Sequence, residues 1–217
     1  MLNNSRAASP IPGAVALVAL FLTLALMPGA TELLHYQREA IANGEWWRLF
    51  TAHFVHLNLS HALLNSAGAL LLAFLLPREL PVRDWWAVTL IAPFVISAGL
   101  WFKQPDLMGY VGFSGVLHGL IYCAVIRLLP QAPVLAGLVL LMLVGRQVWE
   151  QTAFYDPNYL RGLIHGRVMP DAHLFGALTG TLWGLWSLLR DRSPRAGNLA
   201  KAGASGYSSG TGPTPDA

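Results

Sequence analysis

The chain has 217 residues, 54% of them hydrophobic and 12% charged, with a formal net charge of +3 and a pI near 9.3. A soluble domain carries roughly 25% charged residues, and with a mean hydropathy of +0.48 most of this length has no obvious way to face water, which excludes an ordinary soluble fold. In a membrane protein a small basic excess sets orientation, and it gives no argument for nucleic acid as a partner.

A spanning helix needs roughly 17–25 mostly apolar residues. Six stretches qualify or nearly do: 11–27, 57–76, 85–102, 108–129, 132–149 and 172–189. The expected fold is an all-α membrane protein, with a short N-terminus at 1–10, a six-transmembrane-helix bundle at 11–190 and a tail at 191–217. The tail is rich in Gly, Ser and Pro and has little apolar surface to bury, so it is expected to be disordered. An alternative for the first stretch is a signal peptide, with Arg6 before the apolar run and Pro28-Gly29-Ala30 after it. Cys123 is the single cysteine, so no intrachain disulfide can form and redox compartment is left open. Arg127 and Arg146 lie near segment ends, where they can snorkel to headgroups.

Lysines and arginines counted by loop favour one orientation. Arg6, Arg78, Arg83, Arg127, Arg190, Arg192, Arg195 and Lys201 make eight on one side; Arg38, Arg48, Lys103, Arg161 and Arg167 make five on the other. Both termini are therefore expected in the cytoplasm, which fits an even number of spans better than it fits a cleaved leader. The loops 28–56, 103–109 and 150–170 then face outward.

Ionisable and polar residues within spans are costly, and each is by default a functional hypothesis. Here they cluster at the outer ends of three non-adjacent spans: His53, His56, His61 and Asn65 on the second, Ser114 and His118 on the fourth, Asp171 and His173 on the sixth. The fourth opens Gly112-Phe113-Ser114-Gly115-Val116-Leu117-His118-Gly119. Glycines beside a serine at a helix N-terminus leave backbone N–H groups open to a developing oxyanion. The bland reading of Gly115 and Gly119 is a small-residue packing face. On the sixth span His173, Gly176, Gly180 and Gly184 share one helical face, which can approach that glycine pair closely. His173 is then placed to activate Ser114. Asp171 and His173 face apart on a helix, so Asp171 reads as an N-cap rather than a triad acid. His61 and Asn65 share a face and can both donate hydrogen bonds, to an oxyanion or simply to another helix.

These residues resemble the rhomboid proteases, six-helix intramembrane serine proteases. The resemblance runs from Glu45 to about Gly184 and rests on Trp47-Arg48, His56, His61 and Asn65, Gly112-Phe113-Ser114-Gly115, and Ala172-His173 with Gly176 and Gly180. It implies a catalytic dyad of Ser114 and His173 without an acid. It also implies an oxyanion site of His61, Asn65 and the Ser114 backbone N–H, and a structural loop around Trp47 and Arg48 that dips into the outer leaflet. The rhombosortase branch is similar in Leu117-His118-Gly119, in Trp149-Glu150-Gln151 and in Asp171-Ala172-His173-Leu174. Many rhomboids carry a tyrosine at the position of His118, where it stacks on the catalytic histidine; His118 either takes over that support or simply packs.

The branch resemblance implies cleavage of exported bacterial proteins anchored by a C-terminal tail of Gly-Gly, one apolar helix and a basic cluster. It places the chain in the bacterial inner membrane with its site opening to the periplasmic side. Membrane-anchored substrates and the lipid bilayer are the expected partners, with no cofactor and no metal. Three other readings compete: a general rhomboid protease acting on other single-span proteins, an inactive rhomboid-fold binding protein, and a haem- or metal-binding protein using the histidines. Intact Ser114, His173, His61 and Asn65 weigh against inactivity. The histidine spacing contains no His-Glu-x-x-His motif, and a haem reading leaves Ser114 and its glycines unexplained.

Overall fold

The computed structural model describes residues 8–192. The expected N-terminus lies mostly, and the expected disordered tail almost wholly, outside the described residues. In chain order the elements are α1 (Ile11–Leu26), α2 (Ala30–Leu34), β1 (Tyr36–Gln37), α3 (Arg38–Ala42), α4 (Arg48–Thr51), α5 (Leu59–Leu75), α6 (Val82–Lys103), β2 (Gly109–Tyr110), α7 (Ser114–Leu128), α8 (Pro133–Glu150), α9 (Arg161–Ile164) and α10 (Pro170–Arg192). The long helices α1, α5, α6, α7, α8 and α10 fall on the six apolar stretches.

Two of them, Val82–Lys103 and Pro133–Glu150, are by length and composition apolar enough to cross a membrane. Ile11–Leu26, Leu59–Leu75 and Ser114–Leu128 are apolar but only 16, 17 and 15 residues long. At 1.5 Å per residue they reach roughly 22–26 Å, against a hydrocarbon core of roughly 30 Å. Large apolar side chains such as Leu71, Phe74, Leu138, Leu141, Met142 and Leu182 point outward and are exposed. A water-facing surface would not carry so many.

The bundle is organised around α7, which buries Val116, Leu120, Cys123 and Ala124 and touches α5, α6, α8 and α10. Its closest partner is α10. A side-chain carbon added at Gly176 would collide with the Gly115 carbonyl, and one at Gly180 with the Gly119 carbonyl. Glycine costs about 1 kcal/mol in a helix relative to alanine, and here it allows backbone-to-backbone contact. α1 packs on α5 through a face containing Ala14, Leu17 and Phe21, so it is an integral helix of the bundle.

The expected fourth span differs at its start. Residues 108–113 form no helix. Tyr36 and Gln37 pair antiparallel with Tyr110 and Gly109, and Gly112 adopts φ +116. That positive φ lies outside the helical region and suits glycine alone. The helix therefore begins at Ser114 itself.

Charged side chains hold the two ends. At one end Asp84 is fully buried and receives Trp183 Nε1–H at 3.1 Å and the Ser187 hydroxyl at 2.9 Å, with Arg127 at 3.3 Å and Arg83 at 3.1 Å. Arg127 thus turns inward to a carboxylate instead of snorkelling, because a buried Asp84 needs a counter-charge. At the other end Arg38 donates to the carbonyls of Trp101 and Gln104, 2.7 and 2.9 Å. Asp171 does not cap α10. Its carboxylate accepts from Lys103 Nζ at 2.6 Å and Gln104 Nε2 at 2.5 Å, fastening α10 to the end of α6.

Candidate active site

Ser114 is the first residue of α7, and no side chain caps that helix start. The first-turn N–H groups, which lack intrahelical partners, are therefore not taken up by a capping side chain. The chain reaching Ser114 is pinned: Gly112 N–H donates to the Ala52 carbonyl at 3.0 Å, and the buried Tyr110 hydroxyl donates to the Gly112 carbonyl at 2.9 Å. Gly112 also lies against the His61 ring, where a side chain would clash.

The glycine contact with α10 brings His173 opposite. Its Nε2 lies 3.1 Å from Ser114 Oγ. His118, one turn below the serine, donates through Nδ1 to the Ser114 carbonyl at 2.9 Å and stacks on His173 with ring centroids 4.0 Å apart and planes 11° apart. The stack restrains the imidazole face on, while the glycine contact fixes its helix.

α5 supplies His61 and Asn65. Its start is capped by Asn58, whose side-chain oxygen accepts the His61 N–H at 2.8 Å. His61 packs edge-on against His56, and Asn65 Nδ2 donates to the His61 carbonyl at 3.3 Å. His61, Asn65, Ser114, His118 and His173 line one cavity of about 210 Å3. Tyr159, Leu160, Ile164, Val168 and Met169, from the segment between α8 and α10 that contains α9, also line it.

Other polar residues of the expected clusters lie elsewhere. His53 is fully buried and bonds Ser97 Oγ at 3.0 Å, and that hydroxyl donates to the Leu49 carbonyl, so it joins α4 to α6. Asp171 belongs to the Lys103 latch. Arg48 is buried, donating to the carbonyls of Glu32 and His35 at 3.0 Å each and to Glu45 at 2.6 Å. It thereby binds the first loop together, while Trp46 and Trp47 stay exposed.

The resemblance implies no acid beside the histidine, yet the structure places one. Glu150, the last residue of α8, has its carboxylate 2.8 Å from His173 Nδ1, and Arg146 Nε donates to the other oxygen at 2.9 Å. The sequence does carry a signal for it. A glutamate four residues after an arginine in an otherwise apolar span is a pair to be explained. The cavity-lining residues of 159–169 carry no comparable signal.

Comparisons with known proteins identify the family. A family model described as Rhomboid domain matches residues 43–190. A curated protein of Bacillus subtilis (strain 168) named "Putative rhomboid protease YdcA" is 35% identical over 80 residues, covering 37% of this chain and 40% of that relative. The aligned stretch therefore spans well under half of the relative's length. The family match, by contrast, covers more than half of this chain and includes His61, Asn65, Ser114, His118, His173 and Glu150, so the chain belongs to the rhomboid family.

Proposed function

We propose that this chain is an intramembrane serine endopeptidase acting on single-span membrane-anchored proteins. The observation that carries the reading is Ser114 Oγ at 3.1 Å from His173 Nε2 in a cavity shared with His61 and Asn65. His173 takes the serine proton as Oγ attacks a substrate carbonyl. His61, Asn65 and the Ser114 N–H stabilise the negative oxygen of the tetrahedral intermediate. His173 then returns the proton to the leaving amine, and water repeats the cycle on the acyl-enzyme. The apolar surface of the bundle supports residence in a lipid bilayer. The charge bias supports both termini in the cytoplasm, which for a bacterial inner-membrane protein puts the site on the periplasmic side.

Purified protein in liposomes with a panel of single-span substrates tests this. Wild type should cleave and be labelled at Ser114 by a fluorophosphonate, while Ser114→Ala does neither. Undiminished cleavage by Ser114→Ala ends the protease reading.

A narrower substrate class is supported by backbone chemistry. A helical substrate must unwind before attack, because its carbonyls are bonded internally. Glycine eases that unwinding and adds no side chain at the cut. A C-terminal anchor of Gly-Gly, apolar helix and basic cluster therefore suits the site, since the basic cluster stays in the cytoplasm and leaves the glycines level with Ser114. Replacing both glycines with leucines should block cleavage, and shuffling the anchor should matter less. Equal cutting of both tails leaves only the general reading.

A further inference from the structure

We propose that Glu150 is a positioning residue, holding His173 in the tautomer that accepts the serine proton, so that the site works as a Ser114–His173–Glu150 chain. The proposal rests on the reading of Ser114 and His173 as nucleophile and base.

The Glu150 side chain is 1% exposed, and both its oxygens are engaged, one by His173 Nδ1 at 2.8 Å and one by Arg146 Nε at 2.9 Å. An ionised carboxylate only accepts hydrogen bonds. The hydrogen of a neutral His173 must then sit on Nδ1, and the Nε2 lone pair faces Ser114 Oγ. Without the carboxylate, nothing at Nδ1 selects that tautomer. In the reaction the Ser114 O–H proton moves to Nε2 as the Oγ–C bond forms and the carbonyl electron pair moves to oxygen. The imidazolium is stabilised by Glu150, which keeps its charge and takes no proton. Collapse breaks the C–N bond and carries the Nε2 proton to the amine. Arg146, steadied by the Tyr159 hydroxyl at 3.3 Å, holds the carboxylate in register.

A shared metal ion is the competing reading, since ligand atoms of His118, Glu150 and His173 lie within 4.8 Å of one another. The geometry disfavours it. The two rings are stacked 11° from parallel, so their in-plane lone pairs run side by side instead of converging. Both His173 nitrogens and His118 Nδ1 already have partners.

A purely structural role is the other competitor. α8 buries only Ala136, Gln147 and Glu150, so Glu150 also docks that helix. The test therefore needs readouts that docking alone does not move. Glu150→Gln, Glu150→Asp and Glu150→Ala would be compared in liposomes by kcat and KM, with histidine-15N spectra reporting the His173 tautomer. The glutamine side-chain amide can donate to Nδ1 and select the wrong tautomer. We expect Glu150→Gln to lower kcat on the order of 10²–10⁴-fold with KM within about twofold, and His173 to move from the Nδ1–H toward the Nε2–H form. Glu150→Asp should recover part of the loss. A Glu150→Gln protein with kcat within twofold of wild type, or an unchanged tautomer, overturns the proposal while Ser114→Ala stays inactive. Cleavage by Ser114→Ala would instead overturn the underlying reading.

Discussion

Replacing Gly176 with alanine should cost both stability and catalysis, because one contact serves both. The added carbon would enter the Gly115 carbonyl, and backbone cannot rotate out of the way as a side chain can. Helices α7 and α10 must therefore part by about an ångström or more, since close-packed interiors have no spare room. Overpacking of this kind costs about 1–3 kcal/mol or more. The separation acts directly on the site, as Gly176 lies three residues from His173 on the same face and Gly115 adjoins Ser114. Moving Ser114 Oγ and His173 Nε2 from 3.1 Å to about 4 Å takes them beyond hydrogen-bonding range. A misplacement of about 1 Å lowers rates about 10²-fold. Gly180→Ala, against the Gly119 carbonyl, should behave similarly but act less on the serine. Gly184→Ala meets its nearest atoms at 3.1 Å and should be milder, whereas Gly145→Ala has nothing within 4 Å and should be neutral or slightly stabilising. The assay is single-turnover cleavage in liposomes beside thermal unfolding in detergent. A Gly176→Ala protein as active and as stable as the Gly145→Ala control would refute this account of the interface.

His173→Ala should abolish cleavage and fluorophosphonate labelling together, because the serine loses its base; labelling at the wild-type rate would contradict that role. His61→Ala and Asn65→Ala should each lower kcat about 10²–10³-fold, since other oxyanion donors remain, and wild-type rates in both singles and the double would show that the oxyanion is held elsewhere. Asp84→Ala should destabilise the bundle by about 1–3 kcal/mol, because the buried Trp183 Nε1–H and Ser187 hydroxyl lose their acceptor while Arg127 keeps Asp191, as thermal unfolding would report, with little change in the chemistry of the folded fraction.

Much of this molecule is legible in its residues, because the relevant signals are local. Six apolar runs coincide with six long helices, two of which are long and apolar enough to cross a membrane. The spacing of Gly176, Gly180 and Gly184 after His173 identifies a face that must meet backbone, and Gly115 with Gly119 identifies its mate. His61 and Asn65 fall on one face by helical period alone. What periodicity does not contain is which neighbour a face meets, or where a long side chain ends. Glu150 lies 36 residues after Ser114 and 23 before His173, and it becomes the partner of His173 only because α8 ends beside α10. For the same reason the residues alone make Asp171 a helix cap and Arg127 a snorkelling arginine. Tertiary packing gives Asp171 to Lys103 and Gln104, and Arg127 to Asp84. Even the helical start at Ser114 goes with a long-range contact, the pairing of Tyr36 and Gln37 with Tyr110 and Gly109, which holds those two residues extended before Gly112 turns the chain. A buried charge or an unpaired backbone group must find a counterpart, and the sequence states that need while the packed bundle decides what meets it.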